Sequence, residues 1–246
     1  MRIGIACTTY NRPAHLAHWT KSVADYSPED AVFHIANDTK DRKGVAYRKT
    51  ECIRELYNAG CDYFFITDDD LFPIRSGWTD FFIDALNASG QNHFCYMVDS
   101  PATKVIESKD VRGYPKEDKP FSGFEVTGLP HTYTINRFDN CNGCLMVMTR
   151  AAVEKVGAFN PEFKTYGFEH SNYSQRIHLA GLNPMGAYLC PSGASEYIYS
   201  CDLDNSRPEI QKKLKHKSSM SAREAIRHVQ KNAETFRKPT NIFYPL

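Results

Sequence analysis

Residues 2–8 alternate into a short apolar run and break at Thr8-Thr9-Tyr10-Asn11-Arg12-Pro13. That pattern predicts a buried strand followed by a polar loop, because Pro13 cannot continue strand pairing. Residues 14–26 read as a helix. Ala31-Val32-Phe33-His34-Ile35-Ala36 predicts a second strand, stopped by Asn37-Asp38-Thr39. Residues 44–59 have helical spacing at Val45, Ile53, Leu56 and Tyr57, and Gly60 is a helix stop. Tyr63-Phe64-Phe65-Ile66-Thr67 predicts a third strand, and it runs directly into Asp68-Asp69-Asp70.

This alternation argues for a parallel, doubly wound sheet. Ligands on such sheets sit beyond the carboxyl ends of the strands. All three predicted strands end in polar residues able to bind a ligand: Thr8 to Arg12, Asn37-Asp38, and Asp68 to Asp70. Further on, the pattern predicts a helix over 79–88 and a strand over 94–98. Residues 99–130 read as irregular, broken by Gly113, Pro115, Pro120 and Gly123. A loop of that length in a compact domain suits a mobile lid or binding loop. A strand over 145–148 follows, then helices over 151–156 and 170–180, closed by Gly157 and Gly181. Residues 208–236 read as largely helical and basic. No internal repeat or low-complexity segment is visible.

The chain has 246 residues, 41% hydrophobic and 24% charged. That is enough to bury one α/β core with a short appendage. Net charge is only +1, but residues 211–238 carry nine Lys/Arg against two Glu, so the remainder is acidic. No segment approaches the roughly 18 apolar residues of a membrane span. The N-terminus lacks a signal-peptide pattern, which predicts a cytoplasmic protein with reduced cysteines. Cys141-x-x-Cys144 with Cys190 and Cys201 offers four zinc ligands, but the second pair lacks the usual spacing. The 14 Tyr, 15 Phe and 2 Trp chiefly suit a bulky core. Trp78 and the aromatics of 114–133 are also candidates to stack on a sugar or base.

Three consecutive aspartates at a strand end repel one another. A hard divalent cation held by carboxylate oxygens removes that cost. It can also clamp a diphosphate and neutralise charge on it. Alternate residues of an extended segment share a face, so Asp68 and Asp70 are expected to converge while Asp69 points away.

These residues resemble the GT-A-fold glycosyltransferases, close to the family 2 type and its galactosyltransferase relatives, over roughly residues 1–185. The resemblance is carried by CTTYNRP at 7–13, NDT at 37–39, Gly44-x-Ala46-x-Arg48 and ITDDD at 66–70. It continues in CNGCLMVMTRAAVEKVGAFNPEF and YGFEHSNYSQRIHLAGL, where Glu169 and Arg176 stand seven apart and Gly143 and Gly157 fit the upstream pattern. The implied fold is α/β: a Rossmann-like nucleotide-binding mixed sheet flanked by helices, with a basic helical C-terminal extension. The implied organisation is a catalytic domain over 1–205 and a tail over 206–246 that packs on or closes over the active site. Within the domain, 1–98 is the nucleotide-binding half, 131–205 the acceptor half and 99–130 a mobile loop.

The resemblance implies a metal-dependent enzyme taking a nucleotide sugar, read as a UDP-sugar, with Mn2+ or Mg2+. Thr8, Thr9, Tyr10, Asn11, Arg12, Asn37, Asp38, Arg48, Asp68, Asp69 and Lys217 would bind the donor. Asp68, Asp70 and His216 would hold the metal, with His228 a second candidate and Lys215 beside the diphosphate. Glu169 and His170 would be catalytic. Inverting relatives carry an Asp base after that Glu, where this chain has His170; an imidazole can act as a base. Retaining polypeptide N-acetylgalactosaminyltransferases, which resemble the same segment, carry Asn there. Stereochemistry therefore stays open.

The expected acceptor is a glycan or a nucleic acid, since basic patches neutralise phosphates and enzymes of this type glycosylate modified bases in phage DNA. A phage-encoded chain would act in the host cytoplasm. Two rival readings remain. A nucleotidyltransferase would show a Gly-rich phosphate loop after the first strand, which TTYNRP lacks. An inactive nucleotide- or carbohydrate-binding module would not need Asp68–Asp70 and Glu169 intact.

Overall fold

The computed structural model describes residues 1–97, 122–128, 131–138, 141–163, 167–201, 208–214, 227, 231–232, 236 and 243–246. Strand β1 (Ile3–Thr9), helix α1 (Pro13–Tyr26), β2 (Val32–Asn37), α2 (Val45–Asn58) and β3 (Tyr63–Asp68) follow the sequence pattern within one residue at each end. Then come β4 (Leu71–Pro73), α3 (Trp78–Ser89), β5 (His93–Cys95), β6 (Ser122–Thr127), β7 (Thr132–Arg137), β8 (Leu145–Thr149), α4 (Arg150–Val156), α5 (Glu169–Leu179), β9 (Leu189–Pro191), β10 (Ile198–Ser200) and α6 (Pro208–Lys213).

The main sheet runs β2-β1-β3-β8-β5. β1 pairs parallel with β2 and β3, but β8 is antiparallel to both β3 and β5. The three strands of the alternation are thus parallel, as their pattern predicts, and β8 makes the whole sheet mixed, as the resemblance implies. β8 inserts between β3 and β5, and its direction there is a matter of long-range pairing of which apolar periodicity carries no trace.

Side-chain alternation divides the core between the two faces. Ile3, Ile5, Cys7, Phe65, Leu145 and Val147 point to one face, where Trp19 and Val23 of α1 and Trp78, Phe82 and Leu86 of α3 cover them. Ala6, Phe64, Ile66, Met146 and Met148 point to the other, against Cys52, Ile53 and Leu56 of α2, Val153 of α4 and Tyr173 and Ile177 of α5. Each of these large apolar side chains contributes about 1.5–3 kcal/mol through burial. Gly4 has no side chain because α2 passes close: a Cβ there would lie 2.9 Å from Cys61 Sγ and Leu56 Cδ1.

Among the described residues there are two smaller sheets, β6-β7-β9 and β10-β4. Residues 122–127 are strand, not irregular, and pair with β7 from Ser122↔Arg137 to Thr127↔Thr132. Half-buried Phe124 and Val126 alternate there with exposed Gly123, Glu125 and Thr127; the run is short, and its glycine and polar positions hide the period. The strand expected at 94–98 is displaced to β5, and Val98 lies outside the described residues. So do 99–121 of the expected loop and most of the helix expected over 208–236, of which α6 is the described start. Among the described residues no helix is long and apolar enough to cross a membrane.

Candidate functional site

The register brings the three predicted ligand loops together. Thr8 pairs with Asp68, Thr9 with Asn37, and Thr67 with Leu145. Because β8 is reversed, its amino end meets the carboxyl ends of β1 and β3: Asp68 N–H donates to Cys144 O at 2.8 Å.

The first loop is wired into the acid cluster. Thr8 Oγ1 donates to Asp68 Oδ1 at 2.6 Å, and Thr9 Oγ1 donates to Asp69 Oδ2 at 2.5 Å. Arg12 Nη1 donates to Asp70 Oδ2 at 2.7 Å, while Nη2 pairs with Asp69 Oδ1. Asp69 is fully buried, whereas the Asp68 and Asp70 side chains retain 27% and 10% exposure. Burial raises the Asp68 carboxyl above its usual range against the opposing pull of Lys49, and Asp70 adds to the rise. Burial lifts Asp69 to about 7, with Arg12 opposing and Asp70 adding.

These carboxylates fit a divalent cation. Two partly exposed hard-oxygen donors come from one turn, and Asp70 adds to the cost of ionising Asp68. Asp68, Asp69, Asp70 and Glu169 outnumber Arg12 and Lys49, the two cations paired with them. Among the described residues no group of three or more His, Cys, Asp or Glu is placed to hold a metal. His216, the proposed third ligand, lies outside the described residues, as do Lys215, Lys217 and His228.

The second loop is closed by Asp38. Its Oδ1 accepts from Lys43 N–H at 2.7 Å and Arg48 Nε at 3.0 Å, and its Oδ2 from Gly44 N–H at 3.0 Å. Arg48 also reaches Glu51 and Asp41. Both Asp38 and Arg48 thus shape the loop that leads into α2. The two loops touch where Asn11 N–H donates to Thr39 Oγ1 at 3.0 Å, and Asn37 Oδ1 accepts from Thr39 N–H at 2.9 Å. Arg42 lies over the Tyr10 ring at 5.8 Å.

Glu169 and His170 open α5. The carboxylate of Glu169 is buried: Oε1 faces His170 Nδ1 at 3.1 Å and Lys49 Nζ at 3.5 Å, and Oε2 accepts from Gly167 N–H at 3.0 Å. Burial alone would raise this carboxyl, but His170 and Lys49 outweigh it and hold the group well below the usual carboxylate range. His170 Nε2 faces Cys141 O at 3.0 Å. Both ring nitrogens therefore face acceptors, an arrangement that an imidazolium satisfies in full. Gly143 makes room for the ring. Asn11, Arg42 and Phe168 are the non-glycine residues at positive φ among those described, at 52°, 50° and 67°. They lie in the first loop, the second loop and the position before Glu169. Backbone strain of that kind is concentrated at functional sites.

Lys49 was missed by sequence reasoning. Its Nζ donates to Gly143 O at 2.7 Å and lies 3.6 Å from Asp68 and 3.5 Å from Glu169. The signal was available: Cys52, Ile53 and Leu56 follow at i+3, i+4 and i+7, so this lysine sits on the buried stripe of α2. Arg176, part of the quoted motif, points elsewhere and donates to Val156 O at the end of α4 and to Ala158 O just beyond it. Trp78 is a core residue, edge-on to Phe65 at 4.9 Å and hydrogen-bonded to Ser27. The four cysteines weighed for zinc have no joint metal geometry: Cys141 lies beside Ser171, Cys144 beside the acid cluster, and Cys190 beside Met97. Two described tail residues meet the approach to Glu169. Asn232 Nδ2 donates to Gly167 O at 2.9 Å, and Phe236 stacks on Phe168 at 5.1 Å.

No protein-family model and no curated protein matches the sequence. Solved structures do match. S. aureus TarS is 13% identical with a TM-score of 0.54, over 87% of this chain and 38% of that one. GalNAc-T7, solved with UDP, GalNAc and Mn2+, is 11% identical with a TM-score of 0.52, over 77% of this chain and 42% of that one. A Drosophila β1,4-galactosyltransferase 7 in complex with manganese, UDP-Gal and xylobiose is 13% identical with a TM-score of 0.50, over 98% of this chain and 81% of that one. This chain spans under half of the first two. The likeness establishes the fold: a GT-A mixed sheet flanked by helices.

Proposed function

We propose that the chain is a metal-dependent glycosyltransferase moving a sugar from a nucleotide sugar, read as a UDP-sugar, to a hydroxyl of a glycan acceptor. One observation carries this reading. An acid cluster at the end of β3 and a Glu–His pair at the start of α5, about a hundred residues apart in sequence, lie within reach of the same lysine ammonium in a GT-A fold. Asp68 and Asp70 would hold Mn2+ or Mg2+, which when bound supplies charge neutralisation for the departing diphosphate. Thr8 and Thr9 orient the carboxylates, and Arg12, paired with Asp69 and Asp70, would add positive charge beside the donor phosphates. Tyr10, Asn11, Asn37 and the loop closed by Asp38 and Arg48 form the nucleoside side.

Glu169 is held as an anion with three of its roughly four acceptor positions occupied. It is a weak base and a good hydrogen-bond acceptor, which suits orienting an acceptor hydroxyl. His170 fixes its rotamer and, with both ring nitrogens facing acceptors, is not placed to take a proton itself. The glycan reading is preferred because a structural neighbour was solved with xylobiose, a glycan, beside its nucleotide sugar.

A thermal-shift panel of UDP- and GDP-sugars with and without Mn2+ tests this. A donor at 100 times its Kd stabilises by about 2.7 kcal/mol, or about 5–10 °C for a chain of this size. The expected outcome is a shift with a UDP-sugar that requires Mn2+. A response to GDP-sugars alone would reassign the nucleotide, and no response to any nucleotide sugar would sink the reading.

A further inference from the structure

Lys49 is only 1% exposed and stands among the largest fully buried side chains of the protein. An ammonium has three N–H donors. Three acceptors surround this one: Gly143 O at 2.7 Å, Glu169 Oε1 at 3.5 Å and Asp68 Oδ1 at 3.6 Å. They come from three places in the chain: the turn before β8, the start of α5 and the end of β3. The same turn holds the other partners in place, since Cys141 O faces His170 Nε2 and Cys144 O accepts from Asp68 N–H.

Stability alone does not account for a lysine here. Desolvating an ammonium and two carboxylates is expensive, and well-packed apolar side chains commonly replace buried ion pairs without loss. The neighbouring positions 46, 52 and 53 of α2 show that the helix has apolar residues on this side. The preceding residue, Arg48, faces the loop closed by Asp38. Consecutive positions of one helix therefore serve the nucleoside loop and the reaction centre.

We infer that Lys49 is a positioning residue that couples the metal-side carboxylate Asp68 to the acceptor-side Glu169, sharing one ammonium between them and competing with the metal for Asp68. This deepens the glycosyltransferase reading and rests on it. With Lys49 in place, Glu169 stays ionised and turned towards His170, while Asp68 is only partly committed to a cation of its own. With Asp68 engaged by a cation, the Lys49 ammonium would be free to turn towards Glu169, and occupancy of the donor side would thereby be communicated to the acceptor side.

The full-length chain and its Lys49→Met variant are titrated with Mn2+ alone by calorimetry, and UDP-galactose hydrolysis is followed in parallel. The variant is expected to bind Mn2+ roughly three- to tenfold more tightly, because a positive charge beside Asp68 is gone. Its kcat is expected to fall about tenfold or more, with KM for UDP-galactose not raised. A lysine that merely fills space would instead weaken Mn2+ binding, raise KM and lower Tm together. Unchanged or weaker Mn2+ binding by folded Lys49→Met overturns the proposal. Should that variant not fold, Glu169→Gln replaces it: the ammonium then turns wholly to Asp68 and Mn2+ binding weakens several-fold, and unchanged binding overturns the coupling. Wild-type chain that binds Mn2+ but turns over no nucleotide sugar counts against the transferase reading, and the Mn2+ comparison still decides the role of Lys49. Wild-type chain that binds no Mn2+ overturns both.

Discussion

Gly143 lies directly against the His170 ring. A Cβ at position 143 would stand 2.8 Å from His170 Cβ and closer still to the ring atoms. The turn before β8 is thus the floor on which the His170 ring rests. Gly143→Ala should push the ring off Cys141 O and Glu169. A displacement of about 1 Å at a reacting centre costs on the order of a hundredfold in rate, whereas overpacking costs only about 1–3 kcal/mol of stability. Sugar transfer should fall far more than Tm. A Gly143→Ala protein with wild-type turnover would remove His170 from the mechanism.

Asp70 carries the metal assignment with Asp68. Asp70→Asn keeps the side-chain shape and leaves Arg12 its partner Asp69, so the fold should survive. Mn2+ affinity measured by calorimetry should drop by more than about a hundredfold, beyond what indirect partners of a metal contribute. Undiminished binding would place the metal elsewhere.

Arg176 is a structural residue in spite of its place in the motif. It is buried, and its Nη1 donates to Val156 O at 2.8 Å, its Nη2 to Ala158 O at 2.7 Å and its Nε to Asn172 Oδ1 at 3.2 Å. Arg176→Met should cost about 3 kcal/mol by leaving those carbonyls without their donor, which lowers Tm by about 6–12 °C. Mn2+ affinity of the protein still folded at low temperature should match wild type. A large loss of Mn2+ binding without a loss of stability would contradict this.

Acid sensitivity should trace to Glu169. Its folded carboxyl titrates below the usual value of 4.5 despite burial, because His170 and Lys49 favour the anion. A depressed carboxylate contributes stability that is present above about pH 4.5 and is lost as pH falls towards the folded value. The slope reaches about 1.4 kcal/mol per pH unit for one proton. Tm measured from pH 7 to pH 3 should fall more steeply for wild type than for Glu169→Gln. Parallel curves would show that acid unfolding begins elsewhere.

Much of the architecture of residues 1–70 was legible because it is local. Apolar runs of five to seven residues ending in Thr8–Arg12, Asn37-Asp38 and Asp68–Asp70 announce buried strands and their loops, and Gly60 announces a helix end. The Glu169-His170 pair was legible only by resemblance, since it opens a helix whose periodicity is weak. Strands β4, β9 and β10 are three residues each, too short to show a period. They exist because neighbouring segments supply the pairing: Leu71↔Ser200 and Phe72↔Tyr199 place the chain after Asp70.

The triple aspartate by itself determined that negative charge would gather at the end of β3, because burying the five residues before it leaves the carboxylates nowhere else to emerge. The sequence also determined that a loop rich in hydroxyls and an arginine would follow the first strand. Only the tertiary structure decided how that charge is divided. It gave Asp69 to Thr9 and Arg12, left Asp68 and Asp70 partly open, reversed β8 so that its turn reaches the site, and brought a buried lysine from α2 between Asp68 and Glu169. Those outcomes depend on the packing of elements 60 to 120 residues apart, and no local pattern encodes such distances.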